Sequence, residues 1–274
     1  MRKGERSVGV LVVIFLISIG DIFCQVGPVG ARSGSLAGIR AGLEDIWAGL
    51  NNPAGLAKLS QFSLGTSLEQ RFLMKELGYY AVTTSIPVRT GVMGVSGLFT
   101  GYQSYSAQTF SLAYGMPFGK NIMAGASLVY IFQKAGNESQ GLHLVSYKIG
   151  TIVGLSDKIS LALVTFNPFQ LSYKSEEYVN APSDFIIGLS YQYNSSLLII
   201  AELEKNLDYP FQIKTGIEFS YNERFVLRGG IRGFPASYSF GAALRVKKIQ
   251  IEMASCYHQY LGFTPLLTLQ YDLR

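Results

Sequence analysis

The stretch FQIKTGIEFSY, residues 211–221, puts Phe211, Ile213, Thr215, Ile217, Phe219 and Tyr221 on one face of an extended chain. Gln212, Lys214, Gly216, Glu218 and Ser220 fall on the other. Alternation with period two marks a strand, because successive side chains point to opposite faces. The apolar face carries bulky side chains and the polar face largely small ones. SYSFGAALRV (237–246) and IQIEMASCY (249–257) repeat the pattern. Working outward, the same reading predicts fourteen strands, near 61–70, 76–87, 91–99, 107–116, 121–133, 141–154, 158–167, 184–193, 196–204, 209–220, 224–232, 236–246, 248–258 and 264–273.

The connections sort by parity. After even-numbered strands they are tight: VRTG, PFGK, LSD, NSS, YNER and VKK. After odd-numbered strands they are mostly longer, as in FTGYQSYSAQ, KAGNESQ and FQLSYKSEEYVNAPSD. Short turns at one end and longer loops at the other, on an even number of strands, describe an antiparallel transmembrane β-barrel of the bacterial outer membrane. A soluble sandwich would put Lys and Glu on its polar face; here that face is mostly Gly, Ser, Ala and Gln, and only 15% of residues are charged. Tyr193, Tyr221, Tyr257 and Tyr271 stand near strand ends, where aromatic girdles form. Closure leaves no unpaired backbone edge in lipid. The fold class expected is all-β, a 14-stranded barrel.

The first residues read differently. Arg2, Lys3 and Arg6 precede SVGVLVVIFLISIG, an apolar run too short to span a bilayer. Residues 1–24 are therefore expected to be a signal peptide, cleaved before Gln25, and Cys256 is then the one remaining cysteine. The expected location is the outer membrane of a Gram-negative bacterium, with outer-membrane lipid as the surrounding partner. The net charge of +5 is scattered and carries no nucleic-acid signal.

Between leader and barrel (61–274), residues 25–60 interrupt the alternation. Leu36, Ile39, Leu43, Ile46 and Trp47 recur at helical spacing, Ser33 or Ser35 can cap, and Pro53 and Gly55 end the run. A lumen widens with strand number, so fourteen strands enclose space that must be wet or filled. The segment is expected to be a short helical plug in or under the lumen. Arg32, Ser33, Glu44, Asp45, Trp47, Asn52, Pro53 and Gly55 are its candidate residues. Lys148, Glu202, Lys214, Glu218, Arg228, Arg232, Arg245 and Glu252 fall on lumen faces, where they either line a channel or pair with one another and with Arg32, Glu44 and Asp45.

Gly30, Ala31, Arg32 and Ser33, followed by Asn52, Pro53, Ala54, Gly55 and Leu56, resemble the N-terminal signature of FadL-like outer-membrane barrels, nearest the compact PorV/PorQ type. The resemblance covers about thirty residues and implies a fourteen-stranded barrel with its N-terminal segment in the lumen. RAGLEDIWAGLNN lacks the Gly-Gly pair and paired acids usual before the turn.

No catalytic motif appears. His143 and His258 have no second His or Cys at ligand spacing, so neither a metal, a cofactor nor an enzymatic activity is expected. His258 with Asp184 or Ser237 is the sole arrangement that resembles a rim hydrolase. Two functions remain. One is an accessory subunit that binds other outer-membrane or exported proteins, as the PorV/PorQ-type resemblance implies. The other is a FadL-like conduit for a small hydrophobic ligand. Fourteen strands of the needed length use about 140 residues, so loops are short. Only 168–183 has room to cap or grip, through Phe169, Leu171, Tyr173 and Tyr178, which favours the accessory subunit.

Overall fold

The computed structural model describes residues 27–102, 105–136, 141–168, 172–174, 178–180, 183–207, 210–233 and 236–273. The expected signal peptide, Phe169 and Leu171 lie outside the described residues. Among the described residues sixteen strands are formed: β1 (Phe62–Gln70), β2 (Gly78–Val88), β3 (Gly91–Tyr102), β4 (Tyr105–Phe118), β5 (Ile122–Ala135), β6 (Leu142–Gly154), β7 (Ile159–Phe166), β8 (Ser172–Lys174), β9 (Tyr178–Asn180), β10 (Asp184–Asn194), β11 (Leu197–Asn206), β12 (Gln212–Ser220), β13 (Phe225–Arg232), β14 (Ser237–Val246), β15 (Ile249–His258) and β16 (Gly262–Leu273).

Each barrel strand pairs antiparallel with its neighbours, β7 pairs β10, and β16 returns to pair β1 with Leu273 opposite Phe62. The barrel is closed with the fourteen strands expected. β8 and β9 form a separate hairpin inside the β7–β10 connection, with Tyr173 opposite Val179 and Tyr178 opposite Lys174. One expected loop is shorter than the sequence suggested. FTGYQSYSAQ continues as strand on both sides, with β3 and β4 paired as far as Tyr102 and Tyr105. Its Gly, Ser and Gln residues read as loop, but the ladder outweighs weak propensity once both neighbours are in place.

In β12 Ile213, Ile217 and Phe219 are exposed while Lys214 and Gly216 are buried. A strand that turns its apolar side chains outward and buries its charges inverts the arrangement of a water-soluble barrel. Leu112, Leu128, Leu163, Ile187, Leu203, Phe240 and Met253 continue the exposed apolar band around the wall. Lipid is the solvent that such a surface requires. No helix among the described residues is long and apolar enough to cross a membrane.

The interior is filled by residues 28–59. The expected continuous helix is not formed. There is one α-helical turn, α1 (Ala31–Ser35), and two 3₁₀ segments, Ile46–Gly49 and Pro53–Lys58, with irregular chain between them. Ala37 and Gly38 take positive φ and end α1. The helical spacing of Leu36, Ile39, Leu43, Ile46 and Trp47 misleads because all five are buried on every side, not along one stripe. Wall side chains replace the helical hydrogen bonds. Glu202 accepts the backbone N–H groups of Arg40 and Ala41 at 2.7 and 2.8 Å, and Ser111 donates to the Gly49 carbonyl at 3.1 Å. Lys148 donates to the Leu50 carbonyl.

The wall admits this segment because glycines face it. A Cβ on Gly125 would lie 2.4 Å from the Pro53 carbonyl carbon, and one on Gly150 would overlap the Asn52 side-chain oxygen. The small residues on the polar face are thus the contact surface of the inner segment.

Candidate functional site

Two ion-pair networks join the inner segment to the wall. In the first, Arg40 reaches Asp184 at 3.3 Å and Glu204 at 2.5 Å, and Lys214 reaches Glu202 at 2.8 Å and also contacts Glu204. Lys214 also donates to the Gly38 carbonyl at 3.0 Å, and Asn206 donates to Asp184 at 2.6 Å. Burial alone would favour losing the Arg40 charge, but Glu204, Asp184 and Glu202 outweigh it and raise the guanidinium pKa. Charges this deep are tolerable only when paired and hydrogen-bonded.

The second network faces the end of the short turns. Arg32 donates twice to Glu218, at 2.9 and 3.0 Å, and lies 3.7 Å from Asp45. Arg228 bridges Glu218 at 2.6 Å and Glu252 at 2.9 Å. Two parallel N–H···O bonds to one carboxylate are the geometry for which a guanidinium is suited. Burial pushes the Asp45 carboxyl up to about 6, against the opposing pull of Arg32; Glu252 adds to the rise. Its carboxylate also caps the 3₁₀ segment by accepting from the Trp47 N–H at 2.9 Å.

The residues read from sequence thus separate. Arg32, Asp45, Glu218, Arg228 and Glu252 come together, as do Glu202 and Lys214. Glu44 is exposed at the mouth, and Arg245, also exposed there, bonds Gln250 at 2.9 Å. Arg232 stands at the opposite end of the barrel. Ser33 and Ser35 are not N-caps: they lie within α1 and donate to the Ile39 and Arg32 carbonyls. Gly30, with positive φ, precedes the helix instead. Pro53 and Gly55 do not end a helix. Asn52 caps the second 3₁₀ segment and Pro53 starts it, where a missing N–H costs nothing. Sequence reasoning missed Arg40, Glu204 and Asn206. Glu204 and Asn206 share the strand face of Glu202, so the parity that selected one pointed to all three.

The one arrangement that resembled a rim hydrolase does not assemble as a relay. The Ser237 hydroxyl accepts from Arg232 at 3.2 Å, Asp184 is held by Arg40 and Asn206, and His258 Nδ1 accepts from the Tyr260 and Leu261 N–H groups. Among the described residues no group of three His, Cys, Asp or Glu is arranged to hold a metal.

Cavities lie on both sides of the inner segment. At the short-turn end are two, of about 780 and 540 Å³, which share Arg32, Glu44, Lys58 and Glu218. At the long-loop end is one of about 410 Å³. Pro28, Ala37 and Gly38 form its floor, and Phe72, Tyr79, Arg232, Ser239, His258 and Leu266 are among its wall residues.

Among solved structures, the Pseudomonas putida toluene transporter TodX matches with TM-score 0.69 and 11% identity over 91% of this chain and 100% of that one. The Ralstonia pickettii toluene transporter TbuX matches with TM-score 0.68 and 13% identity over 91% and 100%. A Pseudomonas aeruginosa FadL homologue matches with TM-score 0.65 and 10% identity over 90% and 100%. The fold is FadL-like. No family model and no curated protein matches the sequence. The toluene neighbours are named as transporters, and the PorV/PorQ type is not among the proteins named here.

Proposed function

We propose that the chain is a passive conduit for small hydrophobic molecules in the outer membrane of a Gram-negative bacterium. Residues 1–24 serve as its export signal, 25–60 as its plug and 61–274 as its barrel. The observation that carries this reading is the 410 Å³ cavity at the long-loop mouth, bounded on one side by the wall and below by the inner segment. A site of that size, partly apolar with a few polar groups, suits a small ligand. Beyond it the way is closed by backbone and ion pairs, and polar cavities resume at the short-turn end. The named toluene transporters among the structural neighbours support the class of cargo.

The test is uptake of N-phenyl-1-naphthylamine, a dye that fluoresces in apolar surroundings, by cells whose lipopolysaccharide leaflet excludes it. Cells producing the protein are expected to take it up several times faster than cells with an empty vector. Equal rates at matched protein levels in the outer membrane would refute the reading.

The accessory-subunit reading keeps one observation. The β7–β10 connection, residues 167–183, is long and carries its own hairpin, whereas most other connections are short. Purification from native membranes in mild detergent separates the two readings. A stoichiometric protein partner supports the adaptor, and a lone barrel with a bound apolar molecule supports the conduit.

A further inference from the structure

The long-loop cavity is not lined as a pocket for a plain hydrocarbon. Across β13, β14 and β15 the register aligns Arg232, Ser237 and His258 in one row at its rim. One step inward, about 7 Å at two residues per step, Ser239, Cys256 and Thr264 form the next row. Arg232 points into the lumen and lines the cavity, yet it has no carboxylate partner among the described residues. Its Nε is taken by the Ser237 hydroxyl, which leaves the two terminal nitrogens for another acceptor. The other cation, Arg71, is paired with Glu69 at 2.7 Å and stacks on Tyr79. The one acidic side chain lining the cavity is therefore already neutralised.

A second observation comes from below Arg232. Ser239 is buried and is one of the residues lining the cavity, and its hydroxyl has no hydrogen-bond partner among the described residues. An unmet buried hydroxyl is destabilising, and an accepting ligand atom would remove that cost. His258 accepts two backbone N–H groups at Nδ1, so its neutral form carries the proton on Nε2 and is a donor. The remaining walls include aromatic surface: Phe72 meets His258 edge-on at 6.2 Å, and Tyr79 lies nearby.

We infer that this cavity takes an aromatic monocarboxylate, with the carboxylate on Arg232 and Ser239 and the ring against Phe72, Tyr79 and Leu266. The inference rests on the conduit reading and narrows its cargo. A guanidinium with two unengaged nitrogens matches a carboxylate bidentately. Because Arg71 is internally compensated, one negative charge balances the site. The volume admits an acid of one or two rings.

The test is calorimetric titration of the full chain in detergent with 2-naphthoate, with its neutral counterpart 2-methylnaphthalene, and with dodecanoate. 2-Naphthoate is expected to bind at least tenfold more tightly than 2-methylnaphthalene. Arg232→Gln is expected to weaken naphthoate tenfold or more and leave methylnaphthalene unchanged. Heat-modifiable electrophoretic mobility checks that the variant barrel has formed. Should Arg232→Gln not fold, Ser239→Ala carries the test, with a three- to tenfold loss expected for naphthoate alone. Naphthoate binding within twofold of wild type in the folded variant tested would overturn the inference. Equal binding of the two naphthalenes would remove the carboxylate and leave a hydrocarbon conduit standing. Tighter binding of dodecanoate would remove the aromatic part. Binding of none of the three would overturn the conduit reading of this cavity as well.

Discussion

Lys214→Met is expected to release the inner segment while leaving the barrel closed. Lys214 is almost wholly buried, and its ammonium contacts Glu202 and Glu204 and donates to the Gly38 carbonyl. Methionine fills similar space without charge, so Glu202 and Glu204 would keep Arg40 alone as a close cation in that network. Removing one partner of a buried ion pair costs about 3–5 kcal/mol. The unmet Gly38 carbonyl is part of that figure, because the same event exposes both. The wall cannot relieve the cost by moving, since β11 and β12 are paired from Leu197 through Glu204. The segment can, because undocking residues 38–41 admits water to the carboxylates. At about 1.4 kcal/mol per decade, the undocked population rises on the order of a hundred- to several thousandfold. Trypsin reads this directly. Arg40 is buried in the docked state, and when opening and closing are fast, cleavage after it tracks the open population. Lys214→Met combined with Glu202→Gln should recover most of the resistance, because glutamine still accepts the Arg40 and Ala41 N–H groups without a charge. Cleavage of Lys214→Met at the wild-type rate would refute the reasoning, and so would a double variant no more resistant than the single one.

Two further outcomes follow from the same docking. Gly150→Ala places a Cβ onto the Asn52 side-chain oxygen, whereas the nearest atom to one on Gly154 is 3.6 Å away. The first is expected to raise single-channel conductance in planar bilayers severalfold and the second to leave it unchanged. The Asp45 carboxyl, at about 6 when docked and 3.8 as its ordinary value, binds its proton more tightly in the docked state, so docking strengthens as pH falls from 7 towards 5. Trp47, the one tryptophan, is buried beside it and reports docking by a blue-shifted emission that reddens on release. Asp45→Asn keeps the cap, removes the charge, and is expected to flatten this pH dependence with the tighter-docked emission already present at pH 7. A variant whose emission still shifts between pH 7 and 5 would show that another group governs docking.

The barrel was legible because a strand in a membrane wall has two unlike neighbours, lipid and lumen, and period two records the difference at every residue. Boundaries moved by a few residues. The shortened loop between β3 and β4 lay where Gly, Ser and Gln compose both turns and lumen-facing strand positions. Phe219 and Ile217 announce lipid whatever the lumen holds. Lys214 and Glu218 announce only that the other face is polar, and leave open whether water or protein meets them.

The inner segment was harder to read for a physical reason. Helical periodicity encodes one buried stripe, and residues 36–47 are enclosed on all sides, so spacing carried no information about their backbone. What fixes that backbone is distant in sequence: Glu202 on the Arg40 and Ala41 amides, Ser111 on Gly49, Lys148 on Leu50. Those side chains could be assigned to the lumen from parity, but nothing local says that their partners are amides rather than water. Arg232 shows the converse. Parity placed it with the other lumen charges, and the structure sets it apart: Glu218 and Glu252 lie towards the far mouth and bind Arg32 and Arg228. A barrel that pairs Arg40, Lys214, Arg32 and Arg228 with its own carboxylates, and leaves Arg232 without an acid among the described residues at the opposite mouth, has put its unspent electrostatic attraction where a ligand would arrive.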